Sequence, residues 1–247
     1  MSFDLTGLLR DWPYDSEDNM RIVQATDGRN VLQVRQPLGV EQYELDGRPD
    51  GAQPFDAETV VEHLENRLES YRDSTGDDEG FELTHDECAL MQSEGILYYY
   101  RYLLLFQLND FERVIRDTGH NLRICNLLEN YCTDEEDRNA VLQFKPYIVR
   151  MNAMARAMAQ VREESPDEAR KILDQAIAEI QALDKIDSPA FQFERVRSVN
   201  YLRSARDQVS DRPADPRKKL ETELRQAVDN EDYERAAQIR DRIRELS

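Results

Sequence analysis

Two pairs of residues have the spacing of metal ligands. Glu82-x-x-His85 and Asp117-x-x-His120 match the carboxylate-x-x-His pairs that, with two further carboxylates, hold two metal ions inside helical bundles. Their contexts argue against that chemistry. Glu82 precedes a helix-start signal at Thr84 and so falls off the helix, while Gly119 interrupts the second pair. In so acidic a chain such pairs arise by chance, and no metal or cofactor is expected. His63 stands apart from both, and no Ser/His/Asp or Cys/His triad can be assembled from the three histidines. A phosphate-binding Gly loop and a Walker-type lysine are also missing. The expectation is therefore a protein that is not an enzyme, with an unrecognised site between sheet and helices as the alternative.

Two further clusters carry chemistry of another kind. Tyr98, Tyr99, Tyr100, Tyr102 and Phe106 could stack a ligand, but a helix apolar nearly all round is the buried helix of an array. The core reading is the expectation. Arg195, Arg197, Arg203 and Arg206, with Tyr201 between them, could touch phosphates. Such a run is more commonly a solvated face balanced by nearby acids. The net charge of −19 opposes direct contact with nucleic acid or an anionic membrane surface.

Composition sets the frame for these clusters. The chain has 247 residues, 40% hydrophobic and 34% charged, with only nine Gly and nine Pro, which points to helices. Cys88, Cys125 and Cys132 are too few for a disulfide framework and suit a reducing cytoplasm, buried as small hydrophobes. MSFDLTGLLRDW lacks the basic start and long apolar run of a signal peptide. Ile96–Leu108, the most apolar stretch, holds Arg101 and is about thirteen residues, against roughly twenty for a membrane span. A cytoplasmic location is expected.

The elements that position these residues fall into four segments. Residues 1–56 contain MRIVQA, VLQVRQ and VEQYEL, separated by Asp27-Gly28 and Pro37-Leu38-Gly39 and closed by Asp46–Gly51. They read as a small antiparallel sheet whose one face needs cover from helices. Residues 57–209 read as a helical array of roughly five or six long helices in up-down order. Its start signals are Asp56, the capping boxes at Thr84 and Thr133, and Ser-Pro at 165–166 and 188–189. The links at Leu108–Val114, Ser165–Ala176 and Asn230–Ala237 resemble the turns of tetratricopeptide hairpins. The fold class is mainly α. Residues 210–216, with Pro213 and Pro216, form a linker.

Residues 217–247 read as an antiparallel helical hairpin. Leu220, Leu224, Ala227 and Val228 share one helix face, and Asp229–Asp232 makes the turn. Tyr233, Ala236, Ala237, Ile239, Ile243 and Leu246 form a second stripe. Units of about thirty residues seldom stay folded without support, so a partner for this stripe is expected. The Leu-x-x-x-Leu helix, the acidic Glu231-Asp232, Tyr233-Glu234-x-Ala236-Ala237, Ile239-Arg240-Asp241-x-Ile243 and Leu246 resemble the UVR motif. That motif is named for the excision-repair subunits UvrB and UvrC. Together with the N-terminal strands and YYYRYLLLFQLNDFERV, it resembles uncharacterised bacterial proteins that end in this motif.

The resemblance implies a hairpin that pairs with another protein, one bearing its own UVR hairpin, or with a second copy. It occurs in repair nucleases and also in protease-associated chaperones and activators of protein arginine kinases. It therefore implies an interaction adaptor or scaffold, with an accessory role in excision repair as the alternative. The partner-binding residues it implies are Tyr233, Ala237, Ile239, Arg240, Asp241 and Ile243. Family members often carry Phe where this chain has Tyr233. Arg240 and Asp241, being adjacent, are expected to point apart and to pair across the hairpin or with a partner, giving charge register.

Overall fold

The computed structural model describes residues 4–210, 220, 224, 227 and 232–245. After a short helix α1 (Thr6–Asp11), the three expected strands form one antiparallel sheet in the order β1 (Met20–Gln24), β2 (Asn30–Gln36), β3 (Gly39–Glu44). Gly28 supplies the positive φ, 89°, that the first hairpin needs. Ile22 pairs with Leu32, and Leu32 with Tyr43. Leu32 and Leu45 are buried among Tyr102, Leu105, Phe111, Val114 and Met151, so the helices cover the apolar face as the alternation requires. On β2's other face Arg35 donates from Nε to the Trp12 carbonyl at 2.7 Å.

The helices are α2 (Val60–Thr75), α3 (His85–Gln107), α4 (Phe111–Tyr131), α5 (Glu135–Leu142), α6 (Lys145–Arg162), α7 (Pro166–Ala182) and α8 (Pro189–Ser210). α3 packs on α4, α4 on α6, α6 on α7, and α7 on α8. Thr84 makes the expected capping box with Glu87, and α7 and α8 begin at their prolines. Two caps differ from expectation. Thr59, not Asp56, caps α2 by accepting from the Glu62 N–H at 3.0 Å, because Pro54–Asp56 forms a separate 3-10 turn whose Phe55 stacks on His63. Asp134, not Thr133, caps α5, accepting from the Asp137 N–H at 2.9 Å. A carboxylate gains more at the positive end of a helix than a hydroxyl does.

Two inter-helix turns share one backbone. After α3, Asn109 has φ 59° and the Asp110 N–H bonds the Leu105 carbonyl at 2.9 Å. After α6, Glu164 has φ 60° and the Ser165 N–H bonds the Gln160 carbonyl at 2.8 Å. In each, a left-handed residue closes one helix by a bond spanning five residues, and the next residue starts the following helix.

Charged side chains fix the sheet to the helices. Arg101 and Asp117 are fully buried and paired bidentately, Nε to Oδ2 and Nη2 to Oδ1, both at 2.7 Å. Arg101 Nη1 donates to the carbonyls of Glu44 and Gly47, at 2.7 and 2.9 Å, and Arg116 to that of Leu45 at 2.6 Å. α3 and α4 thus grip the loop that leaves β3. Glu94 makes a second clamp. Its carboxylate accepts from the N–H groups of Val60 and Val61, at 2.8 and 3.2 Å, and meets His120 and Arg48, both at 3.1 Å. It satisfies orphan donors at the start of α2 from another helix. Burial opposes its charge, but the bonds from His120 and the two backbone N–H groups outweigh it, holding the carboxyl below its usual range.

The clamps generate two predictions. Asp117→Leu strands a buried guanidinium and is expected to cost about 3–5 kcal/mol, whereas Arg101→Met with Asp117→Leu recovers most of it; urea unfolding followed by circular dichroism measures both. Because Glu94 has a lower pKa folded than unfolded, its contribution is complete above the usual carboxyl value of 4.5 and is lost as pH falls. Glu94→Gln should therefore show a shallower loss of stability than the parent between about pH 5 and pH 3.

Candidate functional site

The C-terminal residues form a small packed unit. Leu220, Leu224 and Ala227 are helical and lie at intervals of four and three, one face of a helix. The Asp232 N–H bonds the Ala227 carbonyl at 2.8 Å, the same five-residue closure as in the two turns above. The Asp232 carboxylate then accepts from the Arg235 N–H at 3.1 Å, starting α9 (Tyr233–Glu245) as an N-cap does. Leu220, Ala227 and Ile239 are buried together, with Leu224 and Ile243 packed against them.

The structure describes the side chains of five of the six expected contact residues and separates them by burial. Ile239 is only 4% exposed and belongs to the hairpin's own core. The expectation that it faces a partner is not met, because Leu220 and Ala227 already cover it. Ile243 and Ala237 are half-buried at the margin of that core, and Arg240 and Asp241 are exposed. Tyr233 begins α9, and its side chain lies outside the described residues, as do Leu246, Val228, the turn residues 229–231 and the expected linker after Ser210. A second correction concerns charge register. Arg240 Nε lies 3.7 Å from Asp241 Oδ1, so the neighbours do pair. The arginine stem is long enough to reach back, and so exposed a pair is weak and easily exchanged.

The outward residues of α9 are Arg235, Gln238, Arg240, Asp241 and Arg242. Residues 216–247 hold eight Lys and Arg against eight Asp and Glu, so the whole charge of −19 resides in the residues before them.

The other candidate residues have internal roles. Asp117 holds Arg101, His120 meets Glu94, and His85 Nδ1 lies 2.8 Å from Asp137, which raises the His85 pKa through that bond. Among the described residues no group of three or more His, Cys, Asp or Glu has metal-site geometry. In the basic cluster, Arg197 pairs with Glu194 at 3.5 Å, Arg206 with Asp174 and Asp207, and Arg195 donates to the Gln181 carbonyl. Tyr98 and Tyr102 are core residues as expected, but Tyr100 is 52% exposed. Sequence reasoning missed Glu94; an acid at helical spacing between Met91 and Tyr98, on the apolar face of α3, was the available signal. Among the described residues, no helix is long and apolar enough to cross a membrane.

Ile239→Ala should unfold the hairpin while leaving the rest intact. The loss of about 2–5 kcal/mol exceeds what so small a unit holds in reserve. Hydrogen exchange should show amides of α9 losing protection while those of α3 and α4 keep theirs.

Comparison with known proteins agrees with this geometry at one place. No curated protein and no solved structure matches the chain, whereas the family described as the UvrB/uvrC motif matches residues 216–247: the chain carries a UVR motif at its C-terminal hairpin.

Proposed function

We propose that this protein is an interaction adaptor and not an enzyme. In this reading the UVR hairpin docks on a protein of the same motif class, or on a second copy, and the helical array serves as a tetratricopeptide-like scaffold in the cytoplasm. The observation that carries it is the motif match over residues 216–247, on a hairpin where Leu220, Ala227 and Ile239 are buried together and α9 presents charge among the described residues. The contact then rests on Arg240, Asp241 and the half-buried edge of Ala237 and Ile243, with Ile239 holding the helices in register behind them. Charge balance supports the same reading. A partner approaching the motif meets eight cations and eight anions, while the preceding residues carry −19; those residues repel acidic surfaces, and the hairpin does not.

A second reading follows from the name of the matched family. An accessory role in excision repair would reach DNA through a repair protein, since the chain's own charge opposes direct binding.

The test compares the full chain with one ending at residue 210, and with Arg240→Glu plus Asp241→Arg, which reverses charge without touching the core. Light scattering reports self-association, and affinity purification with UvrB and UvrC as defined preys reports motif partners. Truncation should abolish binding, and charge reversal should weaken it about tenfold or more, in line with close charge pairs at interfaces. Identical assembly and binding in all three chains would end the proposal.

A further inference from the structure

A cavity of about 490 Å³ opens among α3, α4, α5, α6 and α8, within the size range of small-molecule sites. Its lining includes the rings of Tyr99, Tyr100, Tyr102, Phe144 and Tyr147 and the side chain of Ile124. Gln92, Asn121, Glu194 and Arg197 interrupt this apolar wall, and two of them, Asn121 and Glu194, have a buried acceptor with no donor. Asn121 is only 5% exposed. Its Nδ2 donates to the Gly95 carbonyl at 3.0 Å, which fixes how the amide is turned, and its Oδ1 has no hydrogen-bond partner. The Glu194 side chain is 13% exposed; Arg197 lies 3.5 Å from Oε1, and Oε2 is buried without a partner.

Orphaned buried acceptors are uncommon in folded proteins, because desolvating them costs free energy that only a donor returns. Both orphans here lack a donor, and one belongs to a carboxylate. The faces of aromatic rings such as those in this wall attract a cation. The lining cation is Arg197; Arg150, buried behind Tyr147 with its Nε and Nη1 also without hydrogen-bond partners, is not in the lining. Its guanidinium stands over the rings of Tyr147 and Tyr201, at 4.6 and 5.2 Å. An anionic ligand would therefore meet Glu194 without a lining cation except Arg197, which Glu194 already engages.

We infer that this cavity binds a small organic amine in its ammonium form, carrying an aromatic or branched apolar body. The ammonium supplies N–H donors to Asn121 Oδ1 and Glu194 Oε2, and the body fills the space between the tyrosines. Gly95 belongs to the same design. A Cβ there would lie 3.3 Å from Ile124 Cδ1, a tight contact, so its bareness lets Ile124 pack close against α3 at the cavity wall.

Calorimetric titration of the full-length protein with three molecules that share an indole body tests the inference. Tryptamine carries the ammonium, tryptophol a hydroxyl, and indole-3-propionate a carboxylate. Tryptamine should bind at one saturable site, tryptophol about tenfold or more weaker, and indole-3-propionate not measurably. Glu194→Gln keeps the shape and removes the charge; it should weaken tryptamine about tenfold and leave tryptophol unchanged. The inference is overturned if neither tryptamine nor phenethylamine binds saturably. It is equally overturned if the three indoles bind alike, or if a folded Glu194→Gln chain binds tryptamine as the parent does.

Discussion

The bidentate pair between Arg101 and Asp117 is the constraint around which the molecule is arranged. Neither side chain has access to water. Two charges so placed are tolerated only where geometry and further hydrogen bonds compensate their lost hydration. The compensation comes from the carbonyls of Glu44 and Gly47 and from Arg116 at Asp117. Those carbonyls belong to the last residue of β3 and the turn after it, so the pair is satisfied only when the sheet sits on α3 and α4 in one register. An apolar core would permit sliding; a buried fork with fixed acceptors does not. The sheet is too small to be stable alone, and this anchor makes it part of the helical core.

Glu94 extends the same logic to α2. A helix start exposes unpaired N–H groups and a partial positive charge, and α2 meets both with Thr59 of its own and Glu94 of α3. His120 and Arg48 complete the coordination of the carboxylate. Together the clamps join the sheet's exit loop, α2, α3 and α4.

The sequence revealed what is local and hid what is not. Strands bounded by Gly28 and Gly39, the box at Thr84 and the prolines at 166 and 189 were legible because residues within a few positions of one another decide them. The cap of α2 was misplaced at Asp56 because a 3-10 turn and a ring stack between Phe55 and His63 intervene. The role of Glu94 was illegible for the same reason: its partners Val60 and Val61 sit on another helix. Of the candidate site, periodicity located the stripe of Ile239 and Ile243 but could not say which surface would cover it. That depended on Leu220 and Ala227 meeting it across the turn. The tyrosine run was divided likewise, Tyr98 and Tyr102 going to the core while Tyr99 and Tyr100 line a cavity that takes walls from five helices.

Burying Ile239 against Leu220 and Ala227 changes what the hairpin can offer a partner. A stripe left bare would bind any apolar surface, with affinity set by area and little discrimination. With Ile239 withdrawn, the contact in the proposed reading falls to exposed side chains that stay solvated until binding, where charges discriminate between partners more than they add affinity. The pair Arg240–Asp241 is suited to that, since two exposed neighbours exchange one another for an opposed pair at small cost. Equal numbers of cations and anions across residues 216–247 leave that segment with no net charge to repel a similar one. The residues before it, carrying −19, repel one another. In the proposed adaptor reading, this division of charge along the chain favours association through the hairpin over association through the array.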